Sequence, residues 1–121
     1  MKKFSIALGL LSVGVVGVLA IPAFYPGAHE YTRGVLQYQE GRYLEAIGSL
    51  ERAKEKSPLK HPSIYLYLGK SYEQIGDSKR AKNNYQTAIE QFHGDPGYLK
   101  DPTYQSQVQE AEEGLERLTL R

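Results

Sequence analysis

A chain of 121 residues with 40% hydrophobic and 24% charged residues has room for one domain. The absence of cysteine excludes disulfides, cysteine-based metal sites, thiol nucleophiles and lipid attachment at a cysteine. The formal charge is +1, and because Lys2 and Lys3 bring two positive charges the rest of the chain stands at −1, which argues against a nucleic-acid partner.

Residues 4–20 carry no charge and read FSIALGLLSVGVVGVLA, with Ile21-Pro22 following. A helix of seventeen to about twenty residues spans roughly 27–30 Å, close to the hydrocarbon thickness of a bilayer. Residues 1–25 therefore read as a membrane anchor, with a cleaved signal peptide as the alternative. Val18-Leu19-Ala20 and Ile21-Pro22-Ala23 both end on the small residue that cleavage needs. Pro22 and Pro26 end the helix, and Phe24 and Tyr25 fall where an interfacial aromatic belt is expected. Lys2 and Lys3 put the N-terminus on the cytoplasmic side and the rest of the chain across the membrane. A periplasmic or secreted protein is the alternative if the segment is removed.

The body that follows is predicted to be all-α. Between residues 27 and 57 two helical patterns meet at Glu40-Gly41. In the second, Tyr43, Ala46, Ile47, Leu50 and Ala53 share one face, and Pro58 stops it. His61-Pro62 opens a third helix, whose apolar stripe is Tyr65, Leu68, Gly69, Tyr72 and Ile75. Gly76 turns the chain, and Asp77 caps a fourth helix that buries Ala81, Tyr85, Ala88, Ile89 and Phe92. Residues 93–100, with Gly94-Asp95-Pro96-Gly97, read as a loop. Asp101-Pro102 then starts a last helix, about 102–119, with Tyr104, Val108, Ala111, Leu115 and Leu118 on its inner face.

Two of these stretches match each other. Gly34-x6-Gly41-x4-Ala46-x6-Ala53 recurs as Gly69-x6-Gly76-x4-Ala81-x6-Ala88, 35 residues on. A period of this size marks stacked helix pairs. The small residues allow close approach between paired helices, and Gly41 and Gly76 suit the turns. In Tyr65, Leu68-Gly69, Tyr72, Gly76, Ala81, Tyr85 and Ala88 the second stretch resembles the tetratricopeptide repeat (TPR) family. The first matches at Gly34, Gly41, Ala46, Leu50, Ala53 and Pro58, and departs from the pattern at Glu30, Arg33 and Gln37. The expected architecture is an N-terminal transmembrane helix, two TPR helix-turn-helix repeats (about 27–60 and 62–94) and a C-terminal capping helix. The TPR domain then covers residues 27–121. Polar residues at the three departures fit a terminal repeat.

The resemblance implies a protein-protein interaction scaffold whose first helices line a concave groove. Carried over by register, the groove positions are Tyr31, Val35 and Tyr38; then Leu66, Lys70, Glu73 and Gln74; then Gln105, Gln109 and Glu112 of the last helix. The stripe Tyr31, Val35, Tyr38 either forms an aromatic wall for a peptide or helix, or packs on Phe24–Tyr25 or on a neighbouring helix. Tyr31 and Val35 stand where a carboxylate-clamping TPR groove would carry Lys and Asn, so a chaperone C-terminus is not expected. The expected partners are another protein in the groove and a membrane through residues 4–21. The expected role is assembly or tethering of that partner at a membrane. The alternative is a small structural subunit of a membrane complex.

No catalytic pattern is present, and neither an enzyme, a cofactor, a nucleic-acid ligand nor a small-molecule substrate is expected. His29, His61 and His93 are evenly spaced, but the spacing misses the repeat period and no cysteine joins them. Asp77 and Asp101 read as caps and Asp95 as a turn residue. The run Glu110, Glu112, Glu113, Glu116 reads as a solvated face. The basic cluster Arg52, Lys54, Lys56, Lys60, Lys79, Arg80, Lys82 reads as a solvated convex surface, with anionic headgroups as the alternative contact.

Overall fold

The computed structural model describes residues 26–57 and 61–120. The expected anchor or signal segment, residues 1–25, lies outside them, as do Pro58 and Lys60. The described residues form α1 (Ala28–Gln39), α2 (Tyr43–Lys56), α3 (Pro62–Gln74), α4 (Ser78–Gly94), a one-turn α5 (Pro96–Leu99) and α6 (Pro102–Thr119), without strands. Among them no helix is long and apolar enough to cross a membrane.

α1 pairs with α2 and α3 with α4 as antiparallel hairpins; α3 also packs on α2 and α6, and α6 lies along α4. The two hairpins repeat one another in detail. Gly34 of α1 lies against Leu50 of α2, where an added Cβ would sit 2.6 Å from the leucine Cγ. Gly69 of α3 lies against Tyr85 of α4, where an added Cβ would sit 2.7 Å from a ring carbon. Leu50 and Tyr85 are themselves one repeat period apart. The glycine on one helix and the large side chain on the other thus make the same knob-and-notch contact twice.

Both hairpin turns have the same hydrogen-bond plan. Gly41 N–H donates to the Tyr38 carbonyl and Arg42 N–H to the Gln37 carbonyl; Gly76 and Asp77 repeat this with Glu73 and Tyr72. These are Schellman turns, and Gly41 and Gly76 hold the left-handed position at φ 79° and 82°. An added Cβ at either would meet nothing within 4 Å, so a substitution there acts through the backbone alone. Gly41→Ala and Gly76→Ala are each expected to cost about 1 kcal/mol, read as a lowered urea midpoint with unchanged slope. A midpoint that does not move would mean the helix ends relax out of the left-handed turn.

Helix starts follow the caps. The side chains of Asp77, Asp95 and Asp101 accept from the N–H groups of Arg80, Gly97 and Thr103. The expected loop over residues 93–100 is corrected accordingly: α4 runs on to Gly94, and Asp95-Pro96 starts a helical turn that puts Tyr98 and Leu99 against the core. His61 is the cap of α3, its Nδ1 accepting from Ser63 N–H at 3.2 Å.

Two apolar clusters result. One joins Tyr31 and Val35 of α1, Ala46, Leu50 and Ala53 of α2, and Ile64 and Leu68 of α3. The other joins Leu66 of α3, Tyr85, Ala88 and Phe92 of α4, and Val108, Ala111 and Leu118 of α6. α3 separates them and is buried on both flanks, so its single expected stripe is incomplete: Ile64 and Leu66 are core, while Ile75 is exposed. Glu30 and Gln37, where α1 departs from the repeat pattern, bind α1 to α2. Glu30 pairs with Lys56, which holds its carboxyl below the usual range, and Gln37 accepts from Ser49 at 2.6 Å.

Candidate functional site

α3 packs on α1 and on α6, which among the described residues do not pack on each other, and its side chains bridge the two. At their junction sits Lys70 of α3. Its Nζ lies 2.6 Å from Oε2 of Glu110 on α6, 4.9 Å from the centre of the Tyr67 ring and 5.1 Å from that of Tyr38 on α1. One ammonium thus touches a carboxylate and the faces of two tyrosines, and ties three helices together. The rings are braced: Tyr67 stands edge-on to both Tyr38 (5.8 Å) and Tyr31 (6.0 Å), and Tyr38 packs on Tyr43. Burial, reinforced by the Glu110 charge, raises the phenol pKa of Tyr38 and of Tyr67, so both rings stay neutral.

Beside Lys70 lies a second polar knot. Glu73 accepts from the Tyr85 hydroxyl at 2.7 Å and from Arg117 Nε and an Arg117 terminal nitrogen at 3.1 and 3.0 Å. It links α3, α4 and α6. Toward the other end of α3, the buried Ser63 hydroxyl donates to Gln107 of α6 at 2.5 Å. The Tyr31 hydroxyl, buried next to Ser63, makes no hydrogen bond of standard geometry, and burial raises its pKa strongly.

The expected groove positions divide sharply. Tyr31, Val35 and Leu66 are at most 1% exposed and belong to the two cores. Of the two readings of the Tyr31–Val35–Tyr38 stripe, packing on a neighbouring helix describes Tyr31 and Val35, which contact α3; they offer no surface to a partner. Tyr38 and Lys70 are half-buried at the helix junction, and Glu73 is beside it in its knot with Arg117. Gln74 is exposed one turn beyond Lys70. Gln105, Gln109 and Glu112 are exposed, but they lie on the opposite flank of α6 from Gln107 and Glu110, the side chains that reach α3. Gln105 donates to the Leu99 carbonyl, Gln109 to Glu113, and Glu112 lies 3.9 Å from His93.

Sequence reasoning missed Tyr67, Glu110 and Arg117. The first had a signal: Ser63, Tyr67, Lys70 and Gln74 form an i, i+4, i+7, i+11 stripe. Glu110 belongs to the run that reads as a solvated face, yet it is half-buried against Lys70.

Three members of the basic cluster are paired: Lys54 with Glu51, Lys56 with Glu30 and Arg80 with Asp77. The three histidines are apart in role, His29 bonded to Arg33, His61 capping α3 and His93 beside Glu112. Among the described residues no group of three His, Asp or Glu is placed to hold a metal.

The fold and this face define a small all-α protein of stacked helical hairpins with a polar-aromatic junction on one side. No protein-family model, curated protein or solved structure matches the chain.

Proposed function

We infer that the chain is a TPR-type scaffold that holds a partner protein on the face formed by α1, α3 and α6, and that residues 4–21 place it at a membrane. The observation that carries this reading is the duplicated hairpin: the same glycine-to-large-residue contact and the same Schellman turn recur one repeat period apart. Such units stack into extended surfaces that serve as binding platforms. The junction offers what a platform needs, namely aromatic surface with charged and amide groups around it. Two hairpins give a short face and modest affinity for an isolated peptide, which anchoring at a membrane would raise through effective concentration. The partner is a protein segment held for assembly or tethering; no group on this face is arranged for covalent chemistry.

Site-specific photocrosslinking in native membranes tests the reading. A photoreactive residue at Gln74, exposed beside the junction, is expected to trap a partner. The same residue at Gln109, exposed on the outer flank of α6, is expected to trap none. Crosslinks from position 109 with none from position 74 would move the contact to the outer end of the stack.

A further inference from the structure

Lys70 occupies a position that reads more naturally as that of a guest. The Tyr38 and Tyr67 faces and the Glu110 carboxylate are the elements of an ammonium-binding cage, because aromatic faces and an anion both attract a cation. The cage is filled by the chain's own lysine, whose flexible stem can leave without disturbing the backbone. It is also accessible. The Glu110 side chain is 43% exposed against 22% for Lys70, and its Oε1 has no protein partner among the described residues.

An approaching anion would meet the Glu110 carboxylate, two ring faces of negative quadrupole and two cations already paired, Lys70 with Glu110 and Arg117 with Glu73. An approaching cation meets the same groups with favourable sign. We propose that the Tyr38–Tyr67–Glu110 cage receives a lysine or arginine side chain of a basic partner segment, which displaces Lys70 as it enters. Lys70 is then a built-in competitor: it keeps the cage closed and the carboxylate neutralised until a better-placed cation arrives. This inference rests on the reading of the α1–α3–α6 face as the partner surface.

The competitor role gives the test its sign. Acetylated hexalysine is titrated into the full chain in zwitterionic detergent, and the ring resonances of Tyr38 and Tyr67 are followed by NMR. Lys70→Met, which keeps the stem against the rings but removes the charge, is expected to tighten hexalysine binding by about tenfold. Lys79→Met changes net charge equally at an exposed position on α4 and is expected to change binding less than about twofold. Glu110→Gln is expected to abolish the shifts. Equal gains from Lys70→Met and Lys79→Met would overturn the cage in favour of bulk charge. Binding of hexaglutamate instead, lost in Lys70→Met, would overturn the cationic guest while leaving the face as the partner surface. Crosslinks at Gln74 without shifts from hexalysine would also overturn the cage, whereas their absence with no shifts would remove both readings.

Discussion

Tyr85→Ala is expected to lose about 4 kcal/mol of stability, the upper part of the range for removing a buried aromatic. The ring is fully buried in α4, with α3 on one side and α6 on the other. Both neighbours are glycines there. An added Cβ would lie 2.7 Å from the ring at Gly69 and 2.4 Å at Gly114. The hydroxyl is fixed as well, donating to Glu73, and burial together with that bond drives its pKa far upward. A domain of this size holds roughly 5–14 kcal/mol in total, so the variant would be close to its unfolding limit.

The converse change follows from the same contact. Gly114→Ala gains about 1 kcal/mol of helix propensity but forces the ring against Gly69, for a net loss of about 1–2 kcal/mol. In the Tyr85→Ala background the methyl group enters the vacated space, and the loss should vanish. A double-mutant cycle from urea titrations reads the coupling directly. Equal losses in both backgrounds would show that α6 does not pack on this ring.

The second large effect is on the acid side. His61 caps α3 through Nδ1, which accepts from Ser63 N–H and must therefore carry no proton. Its ring is packed among Tyr98 and Tyr104, with Nε2 3.4 Å from the Tyr104 hydroxyl. Burial lowers its pKa from 6.5 to about 4. The unfolded chain takes up this proton near pH 6.5 and the folded protein only near pH 4, so between these values the unfolded state binds more protons. Stability is then fully present above about pH 6.5 and falls as pH is lowered toward 4. The loss is expected to reach about 2 kcal/mol by pH 5. His61→Asn keeps a side-chain acceptor at the cap and should be flat over the same interval, before carboxylates begin to titrate. Urea midpoints at pH 7, 6 and 5 for both chains decide it, and parallel curves would place the titration elsewhere.

How far the sequence could be read depends on what fixes a residue's neighbours. The hairpins α1–α2 and α3–α4 were legible because small residues at equal spacing can satisfy only one mutual arrangement. Asp77 and Asp101 were legible as caps because capping is local. α5 was not, since Pro96-Gly97 carries the same turn chemistry whether or not one helical turn follows. α3 misled because it is flanked on several sides: a stripe predicts one buried face, and Ile64 and Leu66 are buried on opposite flanks. The rotation of α6 is not legible for a related reason. That helix has no mate in the repeat to set it, and Gln107 and Glu110 face α3 while Gln105, Gln109 and Glu112 lie exposed on the opposite flank. Tyr31 and Val35 carried two compatible readings, and only the position of Ile64 and Leu68 on the next hairpin separates them.

The division of the interior by α3 has a mechanical side. Among the described residues, α1 and α2 make no packing contact with α4 or α6. Each cluster can therefore carry load separately, with only the partly buried Tyr67 and Tyr72 shared between them. Tension entering from the N-terminal side reaches the α1–α2 hairpin first, where the Glu30–Lys56 pair ties the start of α1 to the end of α2. Yielding there would release Tyr38 from Lys70 while Glu110 stays in place on α6. A chain pulled from its N-terminus would thus lose the Tyr38–Lys70 contact before it lost its C-terminal core, so the two ends of the stack differ in their response to strain.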